Sequence, residues 1–460
     1  MNKKSEKHKK IVRQRLLSAV ITLLILGIIS TGIYYGARVM LLKVNERREK
    51  ENAAKAAAVS VEEKTKEPEE TVPEEVEEDW YVSENEVSEN SIDDNADTVS
   101  GPQVSAKEQA VIDFIEGMTL DQKICQLFIV KPEDLTGVDN VTAARDATRE
   151  ALEKFPVGGI IYFSENLVDP DQVKELLDNT NGYGQEVNSL PLFLCIDEEN
   201  GSLSRFASND KFDIPLFPSM WDMALSENAA SAVYNAGFET GKYLKEFGFN
   251  VNLAPVSDVV TSSENSAIGT RSFGSVPEDT ARLSWQYASG LDDSGVIPCF
   301  KHYPGLGETE TDTHLGLASS RKTLKELKDS DLVPFENAVT SGAQMIMAGH
   351  ISCPLVTGDD TPASLSDVMI NQVLREDLGF EGIVITDSLQ MNSVTDNYTC
   401  PDAVKLAVKA GADILLMPED LEAAVNSLKD AVRNGEIPEE RIDESLFRIL
   451  RVKYSRLSTQ

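Results

Sequence analysis

"GIVITD" spans residues 382–387. Five uncharged residues, four of them β-branched aliphatics or threonine in sequence, end on an aspartate. A short apolar run of this kind reads as a strand buried on both faces. Seven other runs resemble it: "ICQLFIV" (124–130), "GGIIYF" (158–163), "LFLCID" (192–197), "FNVNLAPV" (249–256), "IPCFKH" (297–302), "AQMIMAGH" (343–350) and "ADILLM" (412–417). Between them lie amphipathic stretches of helical length. "DPDQVKELLDNTNGYG" opens on an Asp-Pro start signal, and "SDVMINQVLREDLGF" opens on a capping Ser or Asp and stops near Gly379. Continuous apolar strands alternating with helices predict a parallel sheet covered on both faces, and eight of them fit a single α/β TIM-type (β/α)8 barrel over 104–460. A doubly wound open sheet is the alternative.

The polar residues carry the next inference. In such a barrel, chemistry sits at the C-terminal ends of the strands. Asp197 ends the third run, Lys301 and His302 the fifth, His350 the sixth and Asp387 the seventh. On a regular strand, adjacent Lys301 and His302 cannot both point inward, so one or both must sit where the strand ends.

Upstream of 104 the composition changes. Lys3, Lys4, Lys7, Lys9, Lys10, Arg13 and Arg15 face one acid, Glu6, in a basic tail (1–15). Residues 16–36, "LLSAVITLLILGIISTGIYYG", carry no charge and match the length of a transmembrane helix. The basic flank predicts a cytoplasmic N-terminus and an extracytoplasmic remainder, giving a single-pass cell-membrane protein. A cleaved signal peptide is the rival, but no good small-residue site directly follows the span. Residues 44–103 form an acidic linker with few large apolar side chains, a composition expected to stay disordered. The chain has 43 Lys and Arg against 77 Asp and Glu, a net charge of −34. That balance argues against nucleic acid as a partner. Five widely spaced cysteines without a CxxC read as free thiols, Cys125, Cys195 and Cys299 within apolar runs.

"KHYPGLGETETDTH" (301–314) holds two of the four histidines. Its acidity disfavours phosphate, and Asp-x-His in a Gly/Thr-rich loop is a weak metal pattern. Structural histidines remain one reading and proton transfer another. On an extended loop, Asp312 can lie beside His314, fix its tautomer and raise its basicity.

The segment through "HLGL" resembles the hallmark of glycoside hydrolase family 3, in its β-N-acetylhexosaminidase branch. "LCIDEENGSLSRF", "FNVNLAPVSDV", "IGTRSFG", "VPFENAV", "MIMAGH" and "GIVITDSLQM" resemble the family's other motifs, in its order, over roughly 105–455. The resemblance implies a retaining glycosidase. Asp387 matches its nucleophile, His314 its acid/base and Asp312 the partner of that histidine. Asp197, Arg205, Arg271, Lys301 and His302 match residues that hold N-acetylglucosamine. No cofactor and no metal is expected. The expected partner is a carbohydrate, a β-linked N-acetylglucosaminide such as a peptidoglycan fragment, with the membrane reached through the N-terminal helix. Three positions depart from the family's pattern. Leu306 stands for a histidine, Asn200-Gly201-Ser202 for Gly-Gly-Arg, and Glu198 for glutamine. They leave a β-glucosidase-like member of the family and a catalytically impaired sugar-binding wall protein as alternatives.

Overall fold

The computed structural model describes residues 105–457 apart from 263, 264, 266 and 310–315. The basic tail, the expected transmembrane span and the acidic linker lie outside the described residues, as do Asp312 and His314. Among the described residues no helix is long and apolar enough to cross a membrane.

The chain is an α/β fold of parallel strands. Six of them, β1 (Phe128–Val130), β2 (Gly159–Ile161), β3 (Phe193–Ile196), β4 (Val251–Asn252), β5 (Ile297–Pro298) and, at the far edge, the strand Leu415–Leu416, form one sheet. A second sheet holds β6 (Phe300–Tyr303), β7 (Met345–Ala348) and β8 (Ile383–Thr386). Leu415–Leu416 is β9, and it pairs with β1 through Phe128↔Leu415 and Ile129↔Leu416. The two sheets meet at both edges. The chain passes from β5 to β6 within a single residue, Cys299. Ile385 bridges Ile414, just before β9, and Thr386 N–H donates to the Ile414 carbonyl at 2.9 Å. Each strand therefore neighbours the next in chain order, without the order reversal of a doubly wound sheet.

All eight apolar runs contribute strand, but shorter ones than their apolar lengths. The first was expected to begin at Ile124. Instead, Thr119 and Gln122 form a capping box that nucleates helix α1 (Leu120–Cys125), so the strand starts at Phe128. "FNVNLAPV" is regular only at Val251–Asn252. Pro255 has no N–H to extend the ladder, although its carbonyl still accepts from Lys301 N–H at 3.1 Å. The Asp-Pro signal holds: α2 (Pro170–Asn188) is capped by the Asp169 side chain, with Pro170 at its first position. "SDVMINQVLREDLGF" folds as a wider π-helix, Val368–Asp377, and Gly379 follows at φ +76°. The cysteines are free, four of them buried.

Helices α3 (Ala229–Phe247) and α4 (Pro277–Ser294) pack at a glycine contact. A Cβ on Gly237 would stand 2.2 Å from the Tyr287 carbonyl, and one on Gly290 2.3 Å from that of Tyr234. Backbone cannot yield as a side chain tip does, so Gly237→Ala must push the helices apart. We expect it to cost about 1–3 kcal/mol of stability, read as a lower thermal midpoint. Tyr287 supports the segment after β3, so this strain also reaches the candidate site.

Candidate active site

A cavity of about 660 Å³ opens at the C-terminal ends of the strands. It is lined by Asp197, Arg205, Arg271, Lys301, His302 and Asp387, which are all the expected site residues among those described. Leu306 and Ser202, two of the departures, line it as well.

Asp197 follows β3 directly, and the turn Glu198–Asn200 pairs back on Leu203–Ser204. This hairpin carries Arg205 to the pocket. Glu198 is fully buried beneath it. Its carboxylate accepts from Arg205 N–H at 2.6 Å, Phe206 N–H at 3.1 Å, Ser204 Oγ at 2.8 Å and Tyr243 OH at 2.9 Å. Burial pushes the Glu198 carboxyl above its ordinary value, with these hydrogen bonds pulling back only part of the way. Phe206 stacks on Phe247 with ring centroids 4.8 Å apart, which anchors the hairpin in the core. Asn200 takes a left-handed conformation at φ +67°, one that asparagine tolerates better than most residues. Its amide points under the site, to Tyr287 OH at 3.0 Å and Thr240 Oγ1 at 3.3 Å.

The charges alternate along the cavity wall. Arg205 meets Asp197 at 3.2 Å, and Lys301 meets Asp197 at 2.7 Å and Glu199 at 2.6 Å. Glu199 then accepts both Nε and Nη2 of Arg271, at 2.6 and 2.8 Å. Burial alone would raise the Asp197 and Glu199 carboxyls. The Lys301 ammonium overcomes it in both, helped by Arg205 at Asp197 and by Arg271 at Glu199, so both lie below the usual carboxylate range. Arg205 also stands over the Phe163 ring, 4.5 Å from its centroid. Its buried Nε has no hydrogen-bond partner within the described protein.

Lys301 and His302 both line the cavity, contrary to the expectation for a regular strand. Strand β6 is not regular. Its register against β7 slips between Ile346↔Phe300 and Ala348↔Tyr303. His302 Nδ1 lies 2.7 Å from Asp258 Oδ2. A carboxylate only accepts, so Nδ1 carries the proton and Nε2 is left for a ligand. The other oxygen of Asp258 accepts from Leu306 N–H at 2.6 Å. Asp387 directly follows β8, its N–H bonded to the Ala348 carbonyl and its Oδ1 accepting from Ser388 N–H at 2.7 Å. His350 lies behind it, with Nε2 2.9 Å from the Ser388 carbonyl and Nδ1 2.7 Å from Ser364 Oγ.

Glu199 and Asp258 were not among the expected site residues, although "IDEEN" and "APVSDV" contain them. Nothing local marks them. Their partners lie 72 and 44 residues away in the chain.

Residues 119–452 match the glycosyl hydrolase family 3 N terminal domain. Beta-hexosaminidase LpqI of Mycobacterium bovis is 33% identical over 336 residues, covering 71% of this chain and 83% of that protein. Beta-hexosaminidase A of Pseudoalteromonas piscicida is 30% identical over 333 residues, and the chain spans about half of its length, 54%. Among solved structures, the glycoside hydrolase family 3 beta-N-acetylglucosaminidase of a Paenibacillus species superposes with a TM-score of 0.69 at 34% identity, over 74% of this chain and 63% of that one. These likenesses run through the strands and loops that build the cavity, and the chain belongs to glycoside hydrolase family 3, a family of glycosidases.

Proposed function

We propose that this protein is a retaining β-N-acetylglucosaminidase built on a (β/α)8 barrel. It releases terminal β-linked N-acetylglucosamine, with peptidoglycan fragments as the substrate class. Asp387 attacks the anomeric carbon and forms a glycosyl ester as His314 protonates the departing oxygen. His314, oriented by Asp312, then takes a proton from the water that cleaves the ester. Asp197 accepts from a sugar hydroxyl, while Arg205, Arg271 and Lys301 donate to the others and His302 Nε2 accepts from one. The uncharged span 16–36 anchors the chain in the cell membrane, and the acidic linker 44–103 carries the enzyme outside it.

One observation carries this reading. Asp387 shares one cavity with the alternating chain Arg205–Asp197–Lys301–Glu199–Arg271. A polar rim of fixed donors and acceptors suits a multiply hydroxylated ligand, and a carboxylate within it suits covalent catalysis. The relatives that carry the names beta-hexosaminidase and beta-N-acetylglucosaminidase support the sugar. A sugar-binding protein without turnover is the second reading, favoured by Leu306 and Ser202, which line the cavity without the groups of the family's pattern.

The test is turnover of p-nitrophenyl β-N-acetylglucosaminide and β-glucoside by the whole chain in detergent. The first is expected to be cleaved at least about tenfold faster by kcat/KM, the discrimination of roughly 1.4 kcal/mol that one well-placed group supplies. Cleavage of the glucoside alone overturns the sugar. Binding of N-acetylglucosamine with no turnover of either favours the second reading.

A further inference from the structure

We infer that Glu199 is a positioning residue: its carboxylate, clamped between Lys301 and Arg271, holds both cations on the cavity wall and keeps the lysine charged. The inference rests on the sugar-binding roles proposed for those two residues and adds the group that sets them.

The geometry is specific. The Glu199 side chain is 2% exposed, that of Lys301 3% and that of Arg271 18%. Arg271 spends two of its donors on Glu199, in a fork that fixes the plane of the guanidinium. A third donor, Nη1, reaches the Ala267 carbonyl at 2.8 Å. Lys301 is a point charge with no such plane, so its direction follows its partners. Those are Asp197 and Glu199, at 2.7 and 2.6 Å. Asp197 is also engaged by Arg205 and lies on the open wall, where a ligand competes for its oxygens. Glu199 lies deeper, so it is the partner of Lys301 that persists when a sugar is bound.

Charge balance gives the same answer. Three cations share two carboxylates along the wall. Removing Glu199 leaves Arg205, Lys301 and Arg271 around Asp197 alone. Arginine cannot shed its proton, so the lysine is the group that gives way. Lys301 faces Asp197, Glu199 and Arg271, with His302 next to it on β6, Cys299 just before that strand and Asp387 lining the same cavity. Burial pulls its ammonium toward deprotonation, and Asp197 and Glu199 more than reverse this, leaving its pKa above the ordinary lysine value. With Glu199 made neutral, burial and Arg271 act against one carboxylate.

The sign of the pH effect follows from linkage. In the wild type the folded pKa of Lys301 is raised. The stability of its pairs is present below the unfolded value and is lost as pH rises through the folded one. In Glu199→Gln the folded pKa moves down from the wild-type one, so less of that stability is present at neutral pH and the gap to the wild type narrows as pH rises.

Glu199→Gln and Glu199→Asp are therefore compared with the wild type, in kcat and KM at about pH 7 and in melting temperature from about pH 7 to about pH 11, where lysines titrate. Glu199→Gln keeps the shape and loses the charge. Its kcat/KM at about pH 7 is expected to fall about tenfold or more, the size of effect of about 1.4 kcal/mol of lost ligand contact. The effect should fall on KM more than on kcat, and the gap in melting temperature to the wild type should narrow as pH rises. Glu199→Asp keeps the charge and shortens the reach, so it loses activity while its melting gap to the wild type stays nearly constant with pH. A Glu199→Gln melting gap that stays constant with pH, or a Glu199→Asp gap that narrows equally, overturns the inference. The melting profiles need no substrate. A wild type that turns over neither sugar defeats the glycosidase reading, while the narrowing gap still decides the role of Glu199.

Discussion

Asp387→Ala is expected to lower kcat by about four orders of magnitude or more while the protein stays folded. That is the size of loss seen when a covalent nucleophile is removed and only binding and the remaining polar groups act. Among the described residues, the structure explains why no other carboxylate on the wall substitutes. The Asp387 backbone is held by the Ala348 carbonyl, and its side chain by Ser388 N–H. Asp197 and Glu199, the other carboxylates on the wall, are engaged by cations, which lowers their proton affinity and their nucleophilicity together. Asp387 is only partly buried, so truncation should cost no more than about 1 kcal/mol of stability. The measurement pairs steady-state kinetics with a thermal melt. A small anion such as azide, filling the space left by the carboxylate, should attack the same face and restore turnover as a glycosyl azide. An Asp387→Ala variant that keeps wild-type turnover would place the nucleophile elsewhere.

Much of this site was legible in the sequence, because strand ends are marked by a change of chemistry within one run. Asp197, Lys301, His302 and Asp387 each terminate an apolar stretch, and a charge there must sit at the rim of the core or be paired. The order of the strands was legible for the same reason, since alternation with helices leaves few parallel topologies. What stayed hidden is pairing. Glu198 and Glu199 are adjacent acids with opposite surroundings. Burial raises the Glu198 pKa despite the backbone N–H groups and hydroxyls around it, whereas at Glu199 the surrounding cations outweigh burial and lower it. No property of "IDEEN" distinguishes the two, because the difference comes from Lys301 and Arg271, brought in from other strands and loops. Leu306 shows the converse. Its letter breaks the family's pattern, yet its backbone N–H still serves Asp258, and through Asp258 the orientation of His302. A side-chain departure can leave a backbone role intact.

Asp413→Ala is expected to produce the largest loss of stability, about 3–5 kcal/mol, with kcat of the folded protein unchanged. Asp413 is fully buried just before β9. Its carboxylate meets Arg375 at 2.6 Å and Arg448 at 3.1 Å, and accepts from Ser445 Oγ at 2.8 Å and Val384 N–H at 2.9 Å. Arg441 stands 3.8 Å away. Burial pulls Arg375 and Arg441 below the ordinary arginine value, and Asp413 is the charge that opposes this in both. Without it, three guanidiniums converge on one buried point and none can neutralise itself by losing a proton. Their bonds to the carbonyls of Gly382, Gly411 and Ala412 cannot offset that repulsion. The group ties β8 to the start of β9, where the two sheets meet, and it does so at the N-terminal end of β8, opposite Asp387. Urea unfolding should therefore show a lower midpoint, while kinetics well below the melt should match the wild type. Asp413→Asn should lose less, because its oxygen can still accept from Val384 N–H while its amide faces donors. If Asp413→Ala instead lowers kcat at temperatures where it is fully folded, the two ends of β8 are coupled and the nucleophile depends on this buried ion cluster for its position.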